Sequence, residues 1–328
     1  MLKDLKVVGI GNALVDILIP VEDSFLIKNK INKGVMQLID LKRASELCMH
    51  TYEYKEISGG SAANTIFGLS SLKMPTAYIG KVQDDKFGHV FVSGLHKQGI
   101  IYETPFSTES SLTQTGRCIV LITKDGERSM NTYLGATENL KPSDVDKELI
   151  ARSEWLYLEG YRFDGANSKA AFSKAINIAK YSGTKIALTL SDPFCVNRHH
   201  QSFKAILKDI DLLFCNEIEV KILGQSEDLE NALKYCESCV KTVVCTLAER
   251  GAVISSKNNT IYVPTKPVEP IDTTGAGDLF ASGYLYGILT GCDEKTAGIM
   301  GNIAASEIIT HIGPRPEKNL FSLFEKHV

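Results

Sequence analysis

Along most of the chain, short apolar runs of strand length alternate with longer segments whose apolar residues recur every three or four positions. Lys6–Ile10, Ala77–Ile79, Trp155–Leu158, Lys185–Leu190, Leu212–Cys215 and Thr242–Thr246 read as strands, and Ser61–Leu72, Gly88–Gln98, Ala166–Ala179, Gln201–Lys208 and Leu229–Cys239 as helices. Strands joined through helices pair in parallel, because such a crossover needs about a dozen residues or more. The pattern predicts an α/β fold with a mostly parallel central sheet flanked by helices on both faces. Near the C-terminal end, Ala297, Met300, Gly301, Ala304 and Ile308 recur at helical spacing, which predicts one buried stripe.

Two stretches interrupt this rhythm. From Ile17 to Asp40 the pattern is extended and broken by polar residues. From Ile101 to Leu134 a hairpin is expected: Arg117–Thr123, the turn Lys124-Asp125-Gly126-Glu127, then Arg128–Leu134. Asp-Gly favours such a turn because both residues tolerate positive φ. Together, 17–40 and 101–134 read as a small β lid over a core built from 1–16, 41–100 and 135–328.

Composition narrows the partners. A formal net charge of −3 gives no basic surface for nucleic acid and no polybasic membrane anchor. No apolar run is long enough to span a bilayer, and the opening residues lack a signal-peptide pattern, so the expected location is cytoplasmic. The eight cysteines lie mostly in apolar stretches and read as small buried hydrophobes. Cys236 and Cys239 form a CxxC inside a helical segment, without the second ligand pair that a zinc site needs.

In open α/β sheets, ligands bind beyond the carboxyl ends of the strands, and polar residues gather there repeatedly. The first strand runs into Asn12 and Asp16; Gly59-Gly60-Ser61 opens a helix carrying Asn64; Leu212–Cys215 leads to Asn216 and Glu219; Thr246 ends a strand before Gly251. A strand-like Val268–Ile271 delivers Asp272-Thr273-Thr274-Gly275-Ala276-Gly277-Asp278. Gly275 and Gly277 allow a tight turn and close approach to a ligand. The free amides of the helix that follows form an anion hole, and Asp278 in its first turn can take a proton from a hydroxyl held beside it. Each position also has a plainer reading: Asp278 as a helix cap, Asp16 as a turn residue, Asn216 and Glu219 as a capping pair at the same spacing. Their convergence on one rim favours a functional site. There is no GxxxxGK[ST], HExxH or GxSxG, and the dinucleotide-like Gly9-Ile10-Gly11 has Leu14 where the last glycine belongs.

Over essentially its whole length the chain resembles the ribokinase (PfkB-type) family of carbohydrate and nucleoside kinases. The motifs that carry the likeness are Gly59-Gly60-Ser61-Ala62-Ala63-Asn64, Gly80-Lys81-Val82-Gln83-Asp84-Asp85-Lys86-Phe87-Gly88, Asn216-Glu217-Ile218-Glu219 and the Asp272–Asp278 loop. Gly11–Ile17, Gly126-Glu127-Arg128-Ser129 and Leu190-Ser191-Asp192-Pro193-Phe194 are similar to its adenosine kinase branch. The resemblance implies an ATP-dependent phosphotransferase acting on an alcohol: the 5′-hydroxyl of a nucleoside, adenosine first, or alternatively a free sugar such as ribose or fructose. A ligand-binding homologue that keeps the fold without turnover is a further alternative, against which Asp278, Gly275-Ala276-Gly277 and Asn216 with Glu219 argue. It implies Asn12, Asp16, Gly59, Gly60 and Asn64 around the acceptor, and Asp278 as base. Gly275, Ala276 and Gly277 would form the anion hole, with Arg128 swinging onto the phosphates from the lid. Asn216, Thr246, Gly251 and Asn302 would lie on the ATP side, with Asn216 and Glu219 ordering magnesium through water. A monovalent cation acts in parts of the family. One aromatic from Gly160-Tyr161-Arg162-Phe163 is a candidate to stack on a base. A monomer and a homodimer are both compatible with the sequence.

Overall fold

Period-two alternation along the central strands feeds two separate cores. In the computed structural model, which describes residues 3–49, 54–109, 112–164, 166–257 and 259–326, the strands form a sheet of eight and a sheet of five. They are β1 (Leu5–Ile10), β2 (Leu14–Pro20), β3 (Met36–Leu38), β4 (Lys55–Gly59), β5 (Thr76–Ile79), β6 (Gly116–Ile122) and β7 (Arg128–Tyr133). These are followed by β8 (Ser153–Glu159), β9 (Lys185–Thr189), β10 (Leu212–Asn216), β11 (Thr242–Thr246), β12 (Ala252–Ser256) and β13 (Asn259–Val263).

The large sheet has the order β13-β12-β11-β10-β9-β8-β1-β5, parallel from β5 to β11 and antiparallel only at β12 and β13. Val8, Leu156, Leu158, Leu213 and Val243 pack on one face with the helices Ala166–Ser182, Pro193–Ile206 and Leu229–Glu237. Their neighbours Val7, Tyr157, Leu212, Phe214 and Val244 pack on the other with the helices Ser61–Ser71, Ala276–Leu289 and Glu294–Ile308. Burial on both faces is why these strands read as continuous apolar runs. Ala297, Met300, Ala304 and Ile308 are buried together as expected. The helix expected at Gln201–Lys208 is the second part of Pro193–Ile206, which kinks at His199 (φ −117°, ψ 22°). A first part that was not expected starts at Pro193, where Asp192 caps it by accepting from Cys195 N at 2.7 Å. Asp followed by proline at the first helical position is the start signal that periodicity alone overlooks.

The second sheet has the order β3-β7-β6-β2-β4. The β6–β7 hairpin is antiparallel, with Ile122 opposite Arg128 and Gly126 at φ +82° in the turn. Its membership differs from the segments expected for the lid. Lys55–Gly59, assigned above to the core, pairs with β2, which is buried from Leu14 to Ile19 and needs a neighbour on each side. Conversely, Ile101 bridges Ala77 and Ser107 bridges Gln83, so 101–107 runs along the core. One face of the second sheet is covered by the Leu41–Met49 helix, whose Ala44 and Leu47 cluster with Ile17, Ile19, Ile119 and Leu121. The opposite face looks onto the large sheet's carboxyl rim.

No strand forms at Val268–Ile271. Pro267 precedes this run and Pro270 lies within it, and neither offers an N–H to a ladder. The segment is tied down instead by Ile271 N and Asp272 N, both donating to Ile309 O. Among the described residues, none of the eight cysteines forms a disulfide. Among the described residues, no group of His, Cys, Asp or Glu could hold a metal, and no helix is long and apolar enough to cross a membrane.

Candidate active site

The turn before the Ala276–Leu289 helix is built by Asp272. Its carboxylate accepts from Thr274 N at 2.9 Å and from Gly313 N at 2.7 Å, folding the loop back on itself. Gly275 then sits at φ +80° as the N-cap residue, a conformation that disfavours a side chain. Of the amides that follow, Ala276 N donates to Thr273 O at 3.2 Å and Leu279 N to Gly275 O at 2.8 Å; those of Gly277 and Asp278 stand between them at the positive end of the helix dipole.

Asp278 lies in that first turn, half-buried. Ser61 Oγ donates to its Oδ1 at 2.6 Å, and Asn64 Nδ2 donates to its Oδ2 at 2.9 Å. Burial lifts its carboxyl to about 6 against the pull of those two bonds. Asn64, expected at acceptor hydroxyls, thus spends its amide on Asp278, while its buried Oδ1 takes no hydrogen bond among the described residues. Ser61, which the sequence reading quoted only as part of a motif, proves to be the second hand on the carboxylate.

Asp16 projects from β2, buried, and its carboxyl is pushed up to about 7 by desolvation. Gly59, on the neighbouring β4, lies so close that a Cβ there would run into the Asp16 carboxylate. Asn12 is locked from three sides: its Oδ1 accepts from Arg162 Nη1 at 2.7 Å and Thr137 Oγ1 at 3.1 Å, and its N–H donates to Glu159 at 3.2 Å. Glu159 ends β8 fully buried, also accepts from Ala62 N at 2.8 Å, and is raised by burial to about 7. The rule that found the other strand-end residues would have found it too.

Asn216 and Glu219 form a reciprocal capping box. Glu219 N donates to Asn216 Oδ1 at 2.9 Å, and Asn216 N and Nδ2 donate to the two Glu219 oxygens at 2.9 and 2.8 Å. The plainer reading of this pair is therefore present in the structure. Glu219 is also buried, with its carboxyl raised by desolvation to about 7. A carboxylate whose oxygens both already accept suits a magnesium ion held through water better than direct ligation. Arg128, at the start of β7, is buried and paired with Asp272 rather than extended into solvent.

These residues share one cavity of about 450 Å³. Asn12, Asp16, Gly60 and Asn64 line it beside Gly275, Ala276, Gly277 and Asp278; Asn216, Glu219 and Thr246 line it further along, and Arg128 from the second sheet. Glu159 and Tyr161 join them, and Met36, Leu38, Met130 and Leu134 give the wall an apolar stretch without aromatic rings. Three expected residues are not brought to it. Gly59 stands behind Asp16, Gly251 closes the turn between β11 and β12, and Asn302 spends its amide on Val263 O and Pro264 O at 2.9 and 3.3 Å. Phe163 is buried against Phe172 and Phe203, away from the cavity.

The pfkB family carbohydrate kinase model matches residues 34–319. Two solved structures superpose on the chain with a TM-score of 0.93 at 39% identity: a probable sugar kinase from Rhizobium etli, with 99% of each chain covered, and an adenosine kinase from Sinorhizobium meliloti, with 99% of this chain and 100% of that one covered. The adenosine kinase of Saccharomyces cerevisiae is 27% identical over 94% of this chain and 95% of its own.

Proposed function

The chain belongs to the pfkB family of carbohydrate kinases and is a phosphotransferase with an alcohol acceptor, and from that premise we propose that it transfers the γ-phosphoryl group of ATP to the 5′-hydroxyl of a nucleoside, adenosine to AMP first. The observation that carries the reading is a carboxylate, Asp278, held by Ser61 and Asn64 in the first turn of a helix, next to Gly277 and the Gly275 turn that opens the helix. Base and anion hole share one point, so the hydroxyl that loses its proton faces the phosphoryl group it attacks. Such transfer depends on positioning and charge stabilisation rather than covalent catalysis.

Asp16, with two oxygens beside Gly60, suits a vicinal diol such as that of ribose. Thr246 and Asn216 would border the nucleotide. Asn216 and Glu219 would order the water around magnesium, which when bound neutralises phosphate charge. The second sheet would act as a lid that excludes water, a competing acceptor. The apolar stretch of Met36, Leu38, Met130 and Leu134 favours an acceptor carrying a base over a free sugar, whose polar surface would leave that wall unused.

A coupled ATP-consumption assay over adenosine, other nucleosides, ribose and fructose tests this. Adenosine is expected to give the highest kcat/KM. Faster turnover of ribose or fructose than of every nucleoside would transfer the assignment to the sugar kinases, the reading that the Rhizobium relative's name favours. Within the site, Gly59→Ala is expected to cost about 1–3 kcal/mol of stability through overpacking and to lower kcat/KM roughly tenfold by moving Asp16. Thermal unfolding with steady-state kinetics checks both, and an unchanged kcat/KM would mean that Asp16 has room to move without consequence.

A further inference from the structure

Behind the Gly275 loop, the Gly313-Pro314-Arg315-Pro316 turn returns the chain to the site. Gly313 N is held by Asp272, and Pro314 lies against Gly275. Arg315 continues inward and donates from Nη2 to Ser58 O on β4, the residue before the glycine that touches Asp16. Its guanidinium lies 3.4 Å from the centre of the Phe67 ring, one turn along the helix from the Asn64 that holds Asp278. Its Nη1 is buried and donates to no group among the described residues.

We infer that Arg315 is a positioning residue for the phosphoryl transfer: wedged between β4 and the Ser61–Ser71 helix, its charge keeps Asp16 and Asp278 ionised and in place. The inference rests on the base reading of Asp278 given above. Around Asp278 stand Ser61 and Asn64 from the helix, Asp16 from β2, Tyr157 and Glu159 from β8, and Arg315. Around Asp16 stand Arg315, Asp278, Arg128, Asp272 and the Cys118 thiol. Tyr78 completes the surroundings of Arg315 itself. Asp16 and Asp278 line the same cavity, both desolvated, and like charges in one site favour protonation of one of them. Arg315 is the cation that opposes this at both, and the strongest of those acting on Asp16. A planar, weakly hydrated guanidinium stacked on a ring can stay charged in such a place.

The test is kcat/KM against pH, from about 5 to 8, for the wild type, Arg315→Gln, Arg315→Lys and Asp278→Asn, using ATP with magnesium and the best acceptor of the panel. Arg315→Gln is expected to move the acid limb up by about one unit, a roughly tenfold loss below it that recovers toward pH 8. Arg315→Lys keeps the charge and is expected to leave the limb near its wild-type position. A loss by the same factor at every pH in Arg315→Gln would reduce Arg315 to a clamp on Ser58 and Phe67, and an unchanged profile would dismiss it altogether. If Arg315→Gln does not fold, Arg315→Lys decides, and a limb displaced by a full unit there overturns the inference. Near-normal turnover in Asp278→Asn sinks the base reading itself. An inactive Asp278→Asn beside an unmoved limb in Arg315→Gln sinks only the role of Arg315.

Discussion

Asp278→Asn is expected to lower turnover on the order of a hundredfold or more while leaving the KM values within a few-fold. The substitution is close to isosteric, and the local hydrogen bonds can be rebuilt. Ser61 can still donate to the remaining oxygen, and Asn64, whose Oδ1 takes no hydrogen bond among the described residues, can turn its amide over to accept from the new one. The helix N-terminus with Gly275 and Gly277 stays intact, so stabilisation of the transferring group persists and a residual rate remains. What is lost is the acceptor for the hydroxyl proton. The pH dependence gives a second readout. Burial lifts Asp278 to about 6, so the base is ionised above that pH and wild-type turnover falls about tenfold per unit below it. The variant has no such group and its profile is expected to be flat there. Turnover near the wild-type value, or an acid limb that survives the substitution, would remove Asp278 from the chemistry.

The parts of this molecule that could be read from its letters are those where one physical demand fixes a local pattern. Strands β8 to β11 are covered on both faces, so they appear as uninterrupted apolar runs, and the polar residue at each carboxyl end marks the rim of the sheet. Lys55–Gly59 escaped because only Ser58 and Gly59 of that strand are buried; an exposed edge strand leaves little periodicity. Val268 and Ile271 suggested a strand that their flanking prolines deny. Within the site, Asp16, Asn64 and Asp278 were legible as residue types at strand and helix ends, but their partnerships were not. Asn64 and Asp278 are 214 positions apart, and nothing local says that one amide serves the other rather than a ligand. Asn302 fails for the same reason. A polar residue on a packed helix can face a substrate or a neighbouring hairpin's carbonyls, and here it faces the carbonyls. Arg315 left no trace in the sequence at all, because its place depends on how the C-terminal turn folds back.

Arg128→Ala is expected to cost about 3 kcal/mol of stability and more than tenfold in turnover. Both side chains of the Arg128–Asp272 pair are almost wholly buried, at 5% and 0% exposure, so removing the cation strands a carboxylate in a poorly hydrated place. The loss stays at the lower end for such a pair because Thr274 and Gly313 still donate to Asp272. The kinetic effect has two separable origins. Arg128 begins the strand after the hairpin turn, and Asp272 leads into Gly275, so the pair fastens the second sheet to the anion loop. Arg128 also lines the cavity with Nε and Nη1 donating to no group among the described residues, an arrangement suited to phosphate oxygens. A double-mutant cycle with Asp272→Asn separates the two. If Arg128 works only through Asp272, the double variant turns over no more slowly than the worse single one. If its remaining donors meet the phosphates, Arg128→Ala lowers kcat further even when Asp272 is already neutral, and lowers it more than it raises KM. A cycle with no coupling in the urea-unfolding free energy would mean that the buried pair holds nothing together, and the fastening role would fall with it.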